Sequence, residues 1–345
     1  MNAKANSKLE GDVSLDKVQF SVVIPVYMGS ETITELYLRL GDTLKKLSVN
    51  ESYQIIFVDD HSQDNSWEIL SQIAKSDEKV ISIKLSKNFG QHAALTAGLH
   101  HATGRWVIIM DCDLQDIPEE IPKLYSATQE GYQVAVGKKI SRNDPKMKIL
   151  TSQLFSRVYR KLTNTNLKSN VGNFGIYSDI VIKNIVKMPE QNRSFGLLAL
   201  WVGFDRKEVP VEHGPRFAGE SNYNLRKRAK LALDSLLSYS NKVLNLTIYI
   251  GLSISFVAFG GAALTLVRFV IYGNTATGWT SIILLVLLSI GIQMTALGIV
   301  ALYIGKIYDE VKQRPIFLIE KIVQAKRKQK NEEHLVEEVN SVVKE

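Results

Sequence analysis

The stretch FSVVIPV, from Phe20 to Val26, is an almost unbroken apolar and β-branched run of strand length, and an amphipathic stretch from about Glu31 to Leu47 follows it. The alternation then repeats. Gln54–Val58 reads as a strand, Asn65–Ala74 as a helix, Val80–Leu85 as a strand, Gly90–Ala102 as a helix and Trp106–Met110 as a strand. Strands that are apolar at nearly every position, separated by helices, specify a parallel sheet covered on both faces. The expected architecture is therefore α/β with a mostly parallel sheet. Ligands of such sheets bind at the carboxyl ends of the strands, near a switch in strand order.

Downstream of Pro118 the pattern loosens. Val134–Gly137 and Glu208–Val211 read as short strands and Lys146–Leu162 as a basic amphipathic helix. From Leu225 to Leu244 apolar residues keep helical spacing, while Arg226, Lys227, Arg228 and Lys230 form a basic knot on the other face. That pattern suits a helix lying in a membrane interface, or one packed on the preceding domain. Val243 to Val267 and Trp279 to Gly305 then carry no charge, and each exceeds the ~20 residues that cross a bilayer as a helix. The connector from Tyr272 to Thr280 has no Lys or Arg, whereas Lys242 precedes the first span and Lys306, Lys312 and Arg314 follow the second. The positive-inside rule places both long segments in the cytoplasm, with a short outer turn flanked by Tyr272 and Trp279. The expected organisation is a loose polar leader (1–17), a catalytic α/β domain (18–224), an interfacial helix (225–242), two transmembrane helices (243–305) and a charged cytoplasmic tail (306–345). In that tail the residues after Lys321 carry their charges at helical spacing.

The 345 residues carry a formal charge of +7, concentrated in the knot at 226–230 and a second one at Lys326, Arg327, Lys328 and Lys330. Beside long apolar runs, such knots point to a lipid bilayer and not to nucleic acid. The single cysteine, Cys112, excludes an intramolecular disulfide and a four-cysteine zinc site.

Acidic residues fall at strand ends. Asp59 and Asp60 follow QIIFV, where two carboxylates can hydrogen-bond a ribose and a base edge; capping the next helix is the other reading, for which Asp64 is better placed. Trp106–Met110 runs into Asp111-Cys112-Asp113-Leu114-Gln115-Asp116. Carboxylates two residues apart at a strand end can reach one hard cation, and Mg²⁺ or Mn²⁺ shares oxygen ligands with substrate phosphates. Such an ion neutralises charge on a departing nucleoside diphosphate. Cys112 between them is expected to turn to the opposite face and pack as a small apolar residue.

These segments carry a resemblance. SVVIPVY, FVDDHSQDNSW, LSKNFGQHAALTAGLHHATG and IIMDCDLQDIPEEIPKL resemble family 2 glycosyltransferases, and most closely the polyprenyl-phosphate branch that includes dolichyl-phosphate mannose synthase and undecaprenyl-phosphate glycosyltransferases. RFAGESNYNLRK resembles the acceptor-side motif of that branch and ALGIVALYIGKIYDEVKQRP its second membrane span, so the similarity runs from about Phe20 to Phe317. It implies a GT-A-like fold, a UDP-, GDP- or TDP-sugar donor, a polyprenyl phosphate acceptor, transfer with inversion and a symmetric homo-oligomer. On matching positions, Pro25, Tyr27, Asp59 and Asp60 would cradle the nucleoside, with Lys87 and Asn88 along the same pocket. Asp111 would meet the ribose or the metal, and Asp113 and Gln115 the metal. Arg216, with Ser221 nearby, would bind phosphate through its planar fork. Lys138 and Arg142 lie where the branch uses basic residues for the lipid phosphate.

Departures from the family pattern leave donor and metal binding intact and bear on the acceptor or the sugar. Met28-Gly29 replaces Asn-Glu, and His61 replaces a glycine, a change that a left-handed turn tolerates. Asn173 and Gly175 stand where many relatives carry Asp and Arg, Asn222 where they carry Lys, and Leu302 where they carry Glu. A phosphate monoester is already anionic near neutral pH, so attack on the anomeric carbon needs little base, and Asn173 is tolerable for that acceptor. Transfer to a hydroxyl of a lipid-linked glycan is the alternative within the class. A catalytically silent nucleotide-sugar-binding scaffold is the alternative outside it.

Overall fold

The computed structural model describes residues 18–139, 171–191, 193–214 and 278–325, with separate positions between 249 and 271. The expected leader, the Lys146–Leu162 helix and the interfacial helix lie outside the described residues.

The alternation forms as read. Strand β1 (Phe20–Val26) leads to α1 (Ile33–Leu47), β2 (Tyr53–Asp59) to α2 (Ser66–Ser76), β3 (Val80–Leu85) to α3 (Gln91–His100) and β4 (Trp106–Ile109) to α4 (Ile121–Gln129). Then come β5 (Val134–Lys139), β6 (Val171–Ser178), α5 (Asp179–Lys187), α6 (Phe195–Trp201), β7 (Arg206–Val211), α7 (Trp279–Val311) and β8 (Ile319–Gln324). The described strands make one sheet, ordered β7-β5-β6-β4-β1-β2-β3-β8. Pairings β1·β2, β1·β4, β2·β3 and β5·β7 are parallel, while β6 and β8 run antiparallel to their neighbours.

Side chains alternate across the sheet, so each strand feeds two cores. Phe20, Val22 and Ile24 pack with Ile55 and Phe57 under α1, α2 and α4, through Leu36, Leu40, Leu70 and Leu124. Val23, Ile56, Val58 and Ile83 pack on the other face against α3, α5 and α6. Each such fully buried side chain contributes roughly 1.5–3 kcal/mol. Helix α3 sits so close to the sheet that a Cβ on Gly98 would lie 2.4 Å from Val23 Cγ1, so only glycine fits there. Pro25 is accommodated in a central strand because its missing N–H faces β4 beyond the last β1·β4 pair, Val23↔Ile109.

Two sequence expectations change. The tail is not uniformly helical in pattern: Ile319–Gln324 pairs with the outer edge of β3, turning Ile319 and Val323 inward. In IEKIVQ the apolar residues Ile319, Ile322 and Val323 stand three and four apart, a helical spacing, and the edge of β3 that the other strands leave unpaired decides for a strand. The second apolar run continues past Gly305 as one helix to Val311, and within α7 Ser289–Val311 is long and apolar enough to cross a membrane. It is the one such helix among the described residues, so the two-span expectation is met by a single helix there. The first run, Val243–Val267, falls largely outside them.

Two contacts tie α7 and the segment after it to the α/β domain. The Gln191 N–H donates to both Glu310 oxygens at 2.9 and 3.1 Å, and Ser86 N–H donates to Leu318 O at 2.9 Å. The chain leaving the apolar helix therefore joins the domain at the carboxyl end of β3.

Candidate active site

Three neighbouring strands end in turns that hold a residue with a side chain in the left-handed region: Met28 after β1 (φ 54°), His61 after β2 (φ 60°) and Leu114 after β4 (φ 60°). Such backbone costs on the order of 1 kcal/mol or more per non-glycine residue, and it is concentrated here at the carboxyl edge of the sheet. His61 thus fills a glycine position by adopting the left-handed turn, with Nδ1 3.3 Å from Leu85 O.

The turn after β1 is clamped by the turn after β2. The N–H groups of Met28, Gly29 and Ser30 donate in succession to Ser62 Oγ (2.9 Å), Ser66 Oγ (3.0 Å) and Asp64 Oδ2 (3.1 Å). Asp64 also accepts from Ser66 N and Oγ, one residue ahead of the N-cap Asn65, so it braces the helix start without being the cap. Burial pushes the Asp64 carboxyl up, but the bonds from Ser66 and Ser30 outweigh it and hold the group below the usual carboxylate range. Tyr27 stands exposed beside this clamp.

Asp59 and Asp60 are both buried and point to opposite faces. Asp60 accepts from the N–H groups of Phe89 (2.7 Å) and Gly90 (2.8 Å), fixing the loop that carries Lys87 and Asn88. Gly90, at φ 92°, allows that loop to turn into α3. Lys87 and Asn88 are exposed, and Lys87 Nζ lies 5.0 Å from the Phe89 ring centroid. Asp59 Oδ1 accepts from Ser62 N at 3.2 Å, whereas Oδ2 is buried with no hydrogen-bond partner among the described residues. Burial pushes both carboxyls above their usual range, against the backbone bonds that each receives.

At the end of β4, Asp111 Oδ1 accepts from Gln91 Nε2 at 2.7 Å, and Asp113 Oδ1 accepts from Gln115 N at 3.1 Å. Leu114 folds back into the core, leaving Asp111, Asp113 and Gln115 at the rim, half-buried. Cys112 packs against the α1 side of the core, as expected, and burial pushes its thiol up to about 12. Among the described residues no three His, Cys, Asp or Glu side chains converge on one point. Two carboxylates and an amide, all hard-oxygen ligands, fit a divalent cation that completes its shell with phosphate oxygens.

Sequence reading missed the group behind these carboxylates. Asp116 is buried, accepts from Asp111 N at 3.1 Å and pairs by backbone with His213. Burial, and then the Asp111 charge, push its carboxyl up to about 7. Lys139 Nζ lies 2.8 Å from His213 Nε2, and His213 Nδ1 lies 3.9 Å from Asp116 Oδ1. An ammonium can only donate, so Nε2 is the acceptor and the imidazole proton sits on Nδ1, towards Asp116. Burial, then Lys139, hold His213 below its usual range. Lys139 is therefore the described cation facing the carboxylate cluster, while Lys138, singled out from sequence, has Nζ 3.7 Å from Glu208. Alternation along β5 carried this signal, since adjacent residues face opposite sides of a sheet. Asn173 lies two residues beyond the last β4·β6 pair, Gly175↔Ile109, on the Asp111 side. Arg142, Arg216 and Ser221 lie outside the described residues.

A GT-A-like α/β fold with acidic strand ends defines a glycosyltransferase. A profile of Glycosyl transferase family 2 matches residues 21–185. The chain is 35% identical over 308 residues to a prophage bactoprenol glucosyl transferase homolog of Escherichia coli, covering 88% of this chain and 99% of that one. It is 35% identical over 305 residues to an uncharacterized glycosyltransferase of Bacillus subtilis, covering 88% and 94%. It is 34% identical over 320 residues to an undecaprenyl-phosphate 4-deoxy-4-formamido-L-arabinose transferase of Proteus mirabilis, covering 91% and 96%. The chain belongs to glycosyl transferase family 2.

Proposed function

We propose that this glycosyltransferase moves a sugar from a nucleotide donor to a polyprenyl phosphate, with inversion, at the cytoplasmic face of a membrane to which α7 and the Val243–Val267 run anchor it. The observation that carries the reading is the group behind the β4 turn, where Asp116 accepts from Asp111 N and His213 stands between Asp116 and Lys139 at the carboxyl edge of the sheet. Relatives acting on bactoprenol or undecaprenyl phosphate along nearly their whole lengths support the acceptor class.

Asp59 accepts a hydrogen bond from an N–H or O–H of the nucleoside through its unpartnered oxygen, and Asp60 holds the loop that lines the same pocket. Asp111, Asp113 and Gln115 would hold Mg²⁺ or Mn²⁺, which supplies Lewis-acid stabilisation to the departing diphosphate. Lys139, with Arg142, Arg216 and Ser221 from the neighbouring segments, attracts and orients the acceptor phosphate. A dianionic phosphate oxygen is nucleophilic without a base, so the chain contributes positioning and charge stabilisation. The sugar C1–O bond to the diphosphate breaks as the bond to the acceptor oxygen forms.

The test incubates purified protein with Mg²⁺ or Mn²⁺, a panel of UDP-, GDP- and TDP-sugars and undecaprenyl phosphate, then weighs the lipid. One added hexosyl mass on the phosphate is the expected result. Transfer only to a lipid-linked glycan hydroxyl sinks the acceptor assignment, and no turnover with any donor sinks the activity.

A further inference from the structure

Strand β8 places a charge where the site described above does not obviously need one. Asp59 and Lys84 are register partners on β2 and β3 and face the same side of the sheet. Beyond Lys84 the register of β3 with β8 shifts: Lys84 faces Lys321, Leu85 faces Ile319, and Glu320 is the extra residue between them. A bulge of this kind re-aims a side chain. Here it brings Glu320 Oε2 to 3.5 Å from Lys84 Nζ, which also lies 5.8 Å from the Trp67 ring centroid. Lys84 is thus held from one side by Glu320 and from another by the Trp67 face, and its charge attracts Asp59.

A buried carboxylate whose Oδ2 has no hydrogen-bond partner among the described residues is costly unless a countercharge stands near or a ligand supplies a donor. Lys84 supplies the first without hydrogen-bonding the oxygen, which is left as an unpaired acceptor for the second. We infer that Lys84 is a positioning residue for Asp59, and that Glu320, on the strand following the membrane helix, holds Lys84 in place. The segment after α7 is then a working part of the nucleoside pocket as well as an edge strand. This rests on the proposal that Asp59 binds the nucleoside.

The test uses the full chain in detergent micelles with Mg²⁺ and whichever of UDP, GDP and TDP the unaltered protein binds by calorimetry. Asp59→Asn, Lys84→Met, Lys84→Arg and Glu320→Gln are compared for Kd, donor KM, kcat and melting temperature. The expected result is that Lys84→Met weakens Kd and raises donor KM about tenfold, the equivalent of losing ~1.4 kcal/mol of charge support. Lys84→Arg recovers most of that loss, kcat moves little, and the exposed Glu320→Gln gives a two- to threefold effect, in keeping with a weak surface pair. A merely structural role for Lys84 would lower the melting temperature and leave the KM-against-kcat split untouched. Should Asp59→Asn weaken binding while Lys84→Met and Glu320→Gln do not, the inference is overturned and the nucleoside assignment stands. Unchanged binding in Asp59→Asn, or binding of none of the three nucleotides, overturns both.

Discussion

Asp60 accepts hydrogen bonds from the N–H of Gly90 at 2.8 Å and from that of Phe89 at 2.7 Å, so the end of β2 fixes the start of α3. The next residue, Gln91, reaches Asp111 at the end of β4. One carboxylate thereby spans the carboxyl edge and sets where a second one stands. This defines a role for the second Asp of the pair that differs from direct ligand contact.

Asp60→Asn should separate these roles. An amide keeps one acceptor oxygen and turns its NH2 group towards the other N–H, leaving at least one buried donor unpaired at a cost of about 1–3 kcal/mol. The expected outcome is a lower melting temperature together with lower kcat. A variant with unaltered melting temperature and only a raised donor KM would instead make Asp60 a direct nucleoside ligand.

Three histidines contribute to the pH response of stability. Burial, then Arg193, hold His92 below its usual range, and its Nδ1 accepts from Phe195 N at 3.5 Å. His100 and His213 are lowered too, by burial first. The unfolded chain takes up these protons at about pH 6.5 while the folded chain resists, so the histidines' contribution to stability is full above about pH 6.5 and is lost as pH drops through it. Asp116, pushed up to about 7, works the other way, since the fold takes up its proton first. The histidine share is therefore read by difference, and between pH 8 and 5 the melting temperature of His92→Asn should change less unfavourably below about 6.5 than that of the unaltered chain. An equal slope in the variant would show that His92 protonates freely in the fold.

Lys139 should outrank Lys138 for the acceptor. Lys139→Met is expected to raise the KM for polyprenyl phosphate about tenfold or more, as loss of a charge-assisted contact worth ~1.5–3 kcal/mol implies, with donor Kd little changed. Lys138→Met should fall within a few-fold of the unaltered enzyme. The reverse ranking would return the acceptor phosphate to the Glu208 side of β5.

Much of this was legible in residue order. Phe20–Val26 and Val80–Leu85 are strands with the bounds read from sequence, because an apolar run between helices has one way to be buried. Strand β6 was not legible: VGNFGIYS carries Gly172 and Gly175, which weaken the strand signal, and its antiparallel place beside β4 depends on tertiary packing. Strand β8 was hidden because its partner, β3, lies far away in sequence. At the site, Asp59, Asp60, Asp111 and Asp113 stood out by following apolar strands. Asp116, Lys139 and His213 did not, since only the fold brings β5 and the end of β7 behind the β4 turn.

The division of work between Asp113 and Arg216, with Asn173 as the reference, gives the sharpest check on the acceptor side. Asp113 stands at the rim two residues after Asp111, with one oxygen taken by Gln115 N. Asp113→Asn should nearly abolish turnover at any acceptor concentration, since removing a preorganised charge-stabilising group costs about 3–4 kcal/mol, roughly 100- to 1000-fold in rate. Arg216→Lys keeps the charge and loses the bidentate fork, so a loss of about 1–3 kcal/mol is expected. Asn173→Ala should hurt less than either. Its amide cannot act as a base, and a phosphate acceptor needs none. Kinetics of the three variants at saturating Mg²⁺ or Mn²⁺ decide the matter. If Asn173→Ala proved as damaging as Asp113→Asn while Arg216→Lys was silent, Asn173 would have to orient a neutral nucleophile. Transfer to a glycan hydroxyl would then displace transfer to a phosphate.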